Sequence, residues 1–448
     1  MDRNFGIRLK ILLITSVLLS VTLSSCHNSR TSRIIADPNN LSYLYNPSKN
    51  AINPRFKVTT YSDNNALLMV KLFSGEMLFS QANESGIPQS LIEISTKLYQ
   101  TTSGMVLVDT SYSDLRVNIN DQLSEYIFEI PLSTEAKNRY VVEIRILDKL
   151  RKATHHSYIY FDTQSPYNSY NFTLRGYLDK NDVFVPVLKK DEYFSLSYER
   201  TRPDSLFVYY YAPFETVPDP PSLVVPQKIV DYDPQQLIPL PYSDTLALML
   251  PAKGIYKITL GRDIEEGFSI FNLGTEFPLL ESAETMIGPL AYLASESELN
   301  SLYRAQNQKL ALDNFWLSCG GNIEKARELI RIYYNRVLYA NYYFTSFTDG
   351  WRTERGMIYV MYGPPDILYK TNDGESWGYI KPVVKSRWGN TIRVKEDYIY
   401  FNFRKRENLF SDNDYLLSRS ETLVTYWDQA VASWRKGIVF RLDNPTEF

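Results

Sequence analysis

Histidine and cysteine are scarce in this 448-residue chain, with three and two residues. So few histidines limit the common acid–base and metal-ligating designs. His155 and His156 are adjacent inside a strand pattern, so they point to opposite faces and cannot easily share one metal. The cysteines are Cys26 and Cys319, and with Cys26 consumed at the N-terminus a disulfide within the mature chain is excluded. A surplus of charge is lacking too: 48 Lys and Arg face 51 Asp and Glu, a net charge of −3. That balance gives no argument for nucleic acid, and there is no acidic tail. No phosphate loop, paired Cys-x-x-Cys or His-Glu-x-x-His occurs, so no metal or cofactor is expected. What the chain does hold is tyrosine, 35 residues of it, which favours β-structure and amphipathic surfaces.

Beyond the N-terminus no apolar run is long enough to cross a bilayer, which takes about 20 residues. The N-terminus itself reads MDRNFGIRLKILLITSVLLSVTLSSCHNSR. Basic Arg3, Arg8 and Lys10 precede the apolar run from Ile11 to Leu23, then Ser24, Ser25 and Cys26. Residues 1–25 therefore fit an export signal removed on maturation. The small residues before Cys26 resemble a bacterial lipobox. That resemblance implies an acylated Cys26 at the mature N-terminus, and two or three chains would anchor stably where one would be marginal. Neutral His27, Asn28 and Ser29 and then Arg30 follow in place of an acidic residue, which favours the outer membrane with the body in the periplasm. Residues 26–54, polar and broken by Pro38 and Pro47, read as a tether.

Length allows two to four domains. Between residues 55 and 164 lie seven short β-branched and aromatic runs: FKVTTY, LLMVKLF, LIEISTKLYQ, MVLVDTS, EYIFEIPL, YVVEIRILD and SYIYFDT. In YVVEIRILD, Val142, Ile144 and Ile146 share one face while Val141, Glu143 and Arg145 share the other, a half-buried antiparallel strand. This spacing suggests an immunoglobulin-like β-sandwich. A second β-rich region, 165–285, holds DSLFVYYYAPF, SLVVPQKIV, TLALMLP, IYKITLG and FSIFNLG, with Pro213 to Pro226 giving an extended edge. A second, smaller sandwich is the expectation there.

Residues 290–448 differ. Ser295 and Glu298 form a capping box that opens a helix to about Leu317, and Gly320 and Gly321 break it. Asn322 caps a second helix whose stripe is Ala326, Ile330, Tyr333, Val337, Ala340 and Phe344. The run MIYVMY then alternates as a strand covered on both sides, and SWGYI and DYIYFNFRKR complete a small antiparallel sheet. The third region is thus α+β, two helices on a sheet.

The densest stretch is Asp349 to Asp366, DGWRTERGMIYVMYGPPD. With the preceding Phe315 and Trp316 it resembles the GWxTD domain family of bacterial envelope proteins over roughly Leu293 to Phe448. Gly350, Trp351 and Thr353 match, while Glu354 stands where the family name has Asp. The resemblance implies an export signal and β-rich N-terminal parts, and supplies no established activity. Read residue by residue, Gly350, Gly363, Pro364 and Pro365 shape turns, Trp351 anchors helix to sheet, and Thr353 and Glu354 bond free N–H groups. Alternatively Glu354, Arg355 and Asp366 form a polar cluster that recognises a ligand or partner. Cys319 lacks a histidine nearby in sequence and reads as an ordinary thiol. The expectation is therefore a non-catalytic lipoprotein scaffold that binds another envelope protein, with an accessory role in an assembly or secretion machine as the analogy its architecture offers. Glycan binding through tyrosines is the first alternative, and a hydrolase using Glu354 and Asp366 the second.

Overall fold

The computed structural model describes residues 39–221, 232–380, 398–420 and 422–440. Cys26, the expected export signal, the first part of the expected tether (26–38) and the strand expected at 222–230 lie outside them.

Alternating residues build the first region as expected. Strands β1 (Arg55–Thr60), β2 (Asn65–Phe73), β3 (Gln81–Ala82), β4 (Pro88–Gln100), β5 (Val106–Asn118), β6 (Glu125–Ser133), β7 (Arg139–Asp148) and β8 (Ala153–Asp162) follow one another. They form two antiparallel sheets, one ordered β1-β2-β6 and one ordered β3-β4-β7-β8 with β5 paired to β4. Leu68, Val70 and Ile130 of the first sheet share one core with Ile94, Val142, Ile144 and Ile146 of the second. His155 is buried on β8, and His156 faces the other way and is half-buried.

From Leu41 onward the expected tether is part of the body. The Leu41 N–H donates to the Leu368 carbonyl at 2.8 Å, a short 3-10 turn covers Ser42–Tyr45, and Tyr45 and Ile52 are buried. Among the described residues 39–54 no long helix forms. The few apolar side chains there nevertheless gain by leaving water, and they find core positions.

The second region carries β9 (Phe172–Gly176), β10 (Phe194–Tyr198), β11 (Ser205–Tyr211), β12 (Gln236–Pro241), β13 (Gly254–Thr259) and β14 (Phe268–Asn272). β9 and β10 pair with each other, and a sheet runs β12-β11-β13-β14. Pro239 and Pro241 lie in β12, at the sheet edge, where a missing N–H is tolerated. Both faces of this sheet are covered. Tyr256 and Ile258 join the core shared with β9 and β10, while Tyr209, Ile255 and Phe271 pack with Phe410 from far along the chain. The region leans on the C-terminal part instead of standing as a separate module.

Six helices occur among the described C-terminal residues, where the sequence pattern gives two: α1 (Ala283–Ile287), α2 (Glu296–Arg304), α3 (Gln308–Gly320), α4 (Ile323–Phe344), α5 (Glu354–Tyr362) and α6 (Thr422–Arg435). They accompany a four-stranded antiparallel sheet of β15 (Ile367–Lys370), β16 (Gly374–Ile380), β17 (Tyr398–Lys405) and β18 (Tyr415–Leu417). The capping box on α2 is present, but the helix stops at Arg304, and Asn307 caps α3 anew by accepting from the Leu310 N–H. Gly321, at φ 74°, ends α3, and Asn322 caps α4. In the α4 stripe Ala326, Tyr333, Val337, Ala340 and Phe344 are buried, with Leu329 beside them.

The main correction concerns MIYVMY, which is helix α5 and not a strand. Thr353 caps it, its side chain accepting from the Gly356 N–H, and Arg355 through Tyr362 are all buried. A helix buried all round has no apolar stripe, so a short apolar run carries no periodicity to separate it from a strand. The cap and the acidic first-turn Glu354 were the local signals favouring a helix.

Candidate functional site

The glycines of the run act by close approach. A Cβ on Gly350 would sit 2.0 Å from the Ala340 carbonyl oxygen, and one on Gly356 would sit 1.9 Å from that of Gly350. The turn is thereby pressed against α4, and α5 against the turn. Gly363, at φ 83°, takes the chain out of α5 through a conformation that other residues rarely adopt. Its carbonyl accepts from the Tyr379 hydroxyl at 2.8 Å. Trp351 is buried; its N–H donates to Asn341 Oδ1 at 3.2 Å and its carbonyl accepts from Tyr292 at 2.6 Å. The Thr353 hydroxyl, besides capping, donates to the Gly350 carbonyl at 2.7 Å. At the far end of α5, Arg336 Nη1 reaches the carbonyls of Val360 at 3.1 Å and Met361 at 2.9 Å. Pro365 is buried and Pro364 half-buried.

Arg355, on the first turn of α5, is only 2% exposed. Its Nη1 pairs with Glu375 Oε1 at 3.0 Å, and its Nη2 bonds to the carbonyl of Asn413 at 3.2 Å and to that residue's side chain. The guanidinium lies 3.7 Å from the centroid of the Tyr415 ring. Glu375 is enclosed further by the Tyr45 hydroxyl at 2.8 Å, Trp377 Nε1 at 2.9 Å and Lys370 Nζ at 3.1 Å. Burial alone would raise its pKa, but the Lys370 and Arg355 cations and these donors outweigh it and hold the carboxyl down at about 2. Four segments distant in sequence meet here. Such a buried network specifies how the elements fit together, although the Arg355 Nε has no hydrogen-bond partner among the described residues.

The two carboxylates proposed as a cluster lie apart, at opposite ends of α5. Nine helical residues put them roughly 12 Å or more apart along the axis. Glu354 Oε2 accepts from the Leu417 N–H at 2.6 Å, and Oε1 pairs with Arg419 at 2.9 Å. Asp366 is exposed and accepts from the Ile380 N–H at 3.0 Å. Of the sequence candidates, the fold thus brings Gly350, Trp351, Thr353, Glu354 and Arg355 together around the start of α5, and places Gly363 to Asp366 beyond its end. Cys319 belongs to the last turn of α3 and is buried, which pushes its thiol pKa up, away from nucleophilic duty. Among the described residues no three His, Cys, Asp or Glu side chains come together to hold a metal ion, and no helix is long and apolar enough to cross a membrane.

Residues the sequence reading did not single out include Glu375, Asn341, Asn413, Tyr45 and Arg336. Of these, Glu375 carried a faint signal: it shares a strand face with Trp377, two residues on.

Open surface lies elsewhere. A cleft of about 1180 Å³ runs between the outer part of β7 and β8, the 265–269 stretch and the 404–412 segment. On the outward face of the larger N-terminal sheet, Tyr112, Tyr158 and Tyr160 are exposed, and Tyr160 reaches the cleft. At the free edge of that sheet Met105, Val106, Leu107 and Val108 are exposed in a row.

No curated protein matches this chain. Among solved structures, a calcium-binding mutant of Bacteroides uniformis beta-glucuronidase 2 is similar over 34% of this chain and 15% of its own, at 13% identity and a TM-score of 0.17. The chain therefore spans a small part of that protein, and at such a score the likeness bears on neither fold nor function. The GWxTD domain family matches residues 254–436, from β13 to the end of α6. Its start upstream of residue 290 agrees with the packing of the β13–β14 face on Phe410. The chain carries a GWxTD domain over residues 254–436.

Proposed function

We propose that the protein is a non-catalytic lipoprotein scaffold of the outer membrane, anchored through acylated Cys26 and binding another envelope protein from the periplasmic side. The observation that carries this reading is the internal use of the GWxTD run. Its tryptophan, arginine and glycines are buried in packing, and its Glu354 is bonded at a helix start. A domain so arranged offers structure, and the exposed apolar row at the β5 edge offers contact area. An accessory role in an assembly or secretion machine fits a compact body on a lipid anchor, by architecture alone. We also read the paired N-terminal sheets as a β-sandwich of immunoglobulin-like type. The test is crosslinking of the full chain in cells, mild solubilisation and affinity purification. Recovery of one stable envelope protein, reduced when Val106→Lys and Val108→Lys are introduced, supports the reading. Recovery of none overturns it.

A second reading is glycan binding. Tyr112, Tyr158 and Tyr160 share one outward sheet face through the register of β5, β4, β7 and β8, where rings can meet sugar faces. The hydrolase reading has the weaker footing, because Glu354 and Asp366 sit at opposite ends of α5 and each is bonded to backbone N–H groups.

A further inference from the structure

Lys257 and Ser269 are directly opposite each other on β13 and β14, so their side chains leave the same face of the sheet. Both line the large cleft, and they are 4% and 6% exposed. The Lys257 ammonium donates to the Leu409 carbonyl at 2.9 Å, and among the described residues no carboxylate forms an ion pair with it. Of the acids in its field, Glu266 accepts from Ser165 at 2.6 Å, and Asp412 lies 3.4 Å from the Tyr170 hydroxyl. The Ser269 hydroxyl has no hydrogen-bond partner among the described residues. A buried cation with no carboxylate in ion-pair reach beside a buried hydroxyl without a partner is costly, and both residues line one cavity. Burial lowers the Lys257 pKa to about 8, against the opposing pull of the Asp412 and Glu266 charges.

We propose that this end of the cleft binds an acidic saccharide, whose carboxylate accepts one hydrogen bond from Lys257 Nζ and one from Ser269 Oγ. The rest of the chain runs along the cleft toward Tyr160. The proposal rests on the glycan reading above and gives it a site. A saccharide is favoured over an extended peptide because the β8 edge beside the cleft is capped against strand pairing. The His156 N–H is bonded to the Tyr43 hydroxyl at 2.8 Å, and the Tyr160 carbonyl to that of Tyr170 at 3.0 Å. The exposed Tyr160 ring, with planar polar groups such as Gln164, Asn372 and Arg404, suits hydroxyl-rich rings.

The experiment titrates the full chain by calorimetry with trimers of galacturonate, mannuronate and guluronate, their methyl esters, and triglutamate. At least one free-acid trimer should bind, and its neutral ester should bind about tenfold or more weakly, as loss of a charged hydrogen bond implies. Lys257→Met should weaken the acid to the level of the ester while leaving the ester unchanged, and Ser269→Ala should cost a few-fold. The ester comparison needs no variant and so stands even if Lys257→Met fails to fold. Acid binding that Lys257→Met leaves intact overturns this site and spares the glycan reading. Equal binding of triglutamate overturns the choice of saccharide, and no binding by any trimer overturns both.

Discussion

Arg355 and His155 show how single buried groups govern this protein. Removing one partner of a buried ion pair leaves the other charge stranded. Arg355→Met is therefore expected to destabilise the fold by about 3–5 kcal/mol, and Arg355→Met with Glu375→Met to recover part of that loss. Urea denaturation of the three proteins checks it. His155 is buried, and its pKa is lowered to about 4, by burial first and then by the neighbouring His156 charge. Between pH 4 and the unfolded value of about 6.5 the unfolded chain binds the extra proton, so stability should rise with pH through that window. On acidification the loss due to His155 should approach the order of 3 kcal/mol. Glu375 acts lower: its stabilisation is complete above about pH 4.5 and is lost as pH falls toward its folded value. His155→Leu should flatten the upper limb of the stability–pH curve and leave the lower one. A curve unchanged by that substitution would contradict the assignment.

At the scale of elements, α5 is held by backbone contact at its start and by Arg336 at its end. Gly356→Ala would place a carbon 1.9 Å from backbone oxygen, so a loss above about 4 kcal/mol or failure to fold is expected. Gly75→Ala, with nothing within 4 Å, should be close to neutral by the same urea measurement. The strands of the first region were legible because one face of each meets a core and the other meets solvent; Val142, Ile144 and Ile146 announce this by alternation. The caps at Ser295 and Asn322 were legible because they are local. Helix α5 was misread as a strand because burial on every side erases the pattern. The Arg355–Glu375 pair was hidden for a different reason: its members are 20 residues apart and meet only through tertiary packing. Trp351 is buried, with its bonds to Asn341 of α4 and to Tyr292, neither of them in the sheet it was expected to anchor, and Gly350 serves close approach to α4, beyond the turn assigned to it.

Across the molecule, the described residues from Leu41 onward form one compact unit, and its regions are stitched by long-range contacts. The Tyr45 hydroxyl bonds Glu375, Arg55 lies 3.7 Å from the Tyr342 ring, and the Thr348 hydroxyl bonds the Phe214 carbonyl at 2.8 Å. A fragment beginning at residue 290 would lose Tyr45 and the β13–β14 face. It is expected to show no cooperative thermal transition, while the full body shows one. Within that body the GWxTD run serves as an internal framework. Amide hydrogen exchange of the full chain tests it most directly. The prediction is that the α5 amides from Met357 to Tyr362 exchange only through global unfolding, with protection matching the stability measured by urea. Exchange of these amides through local opening, with protection far below the global value, would contradict it.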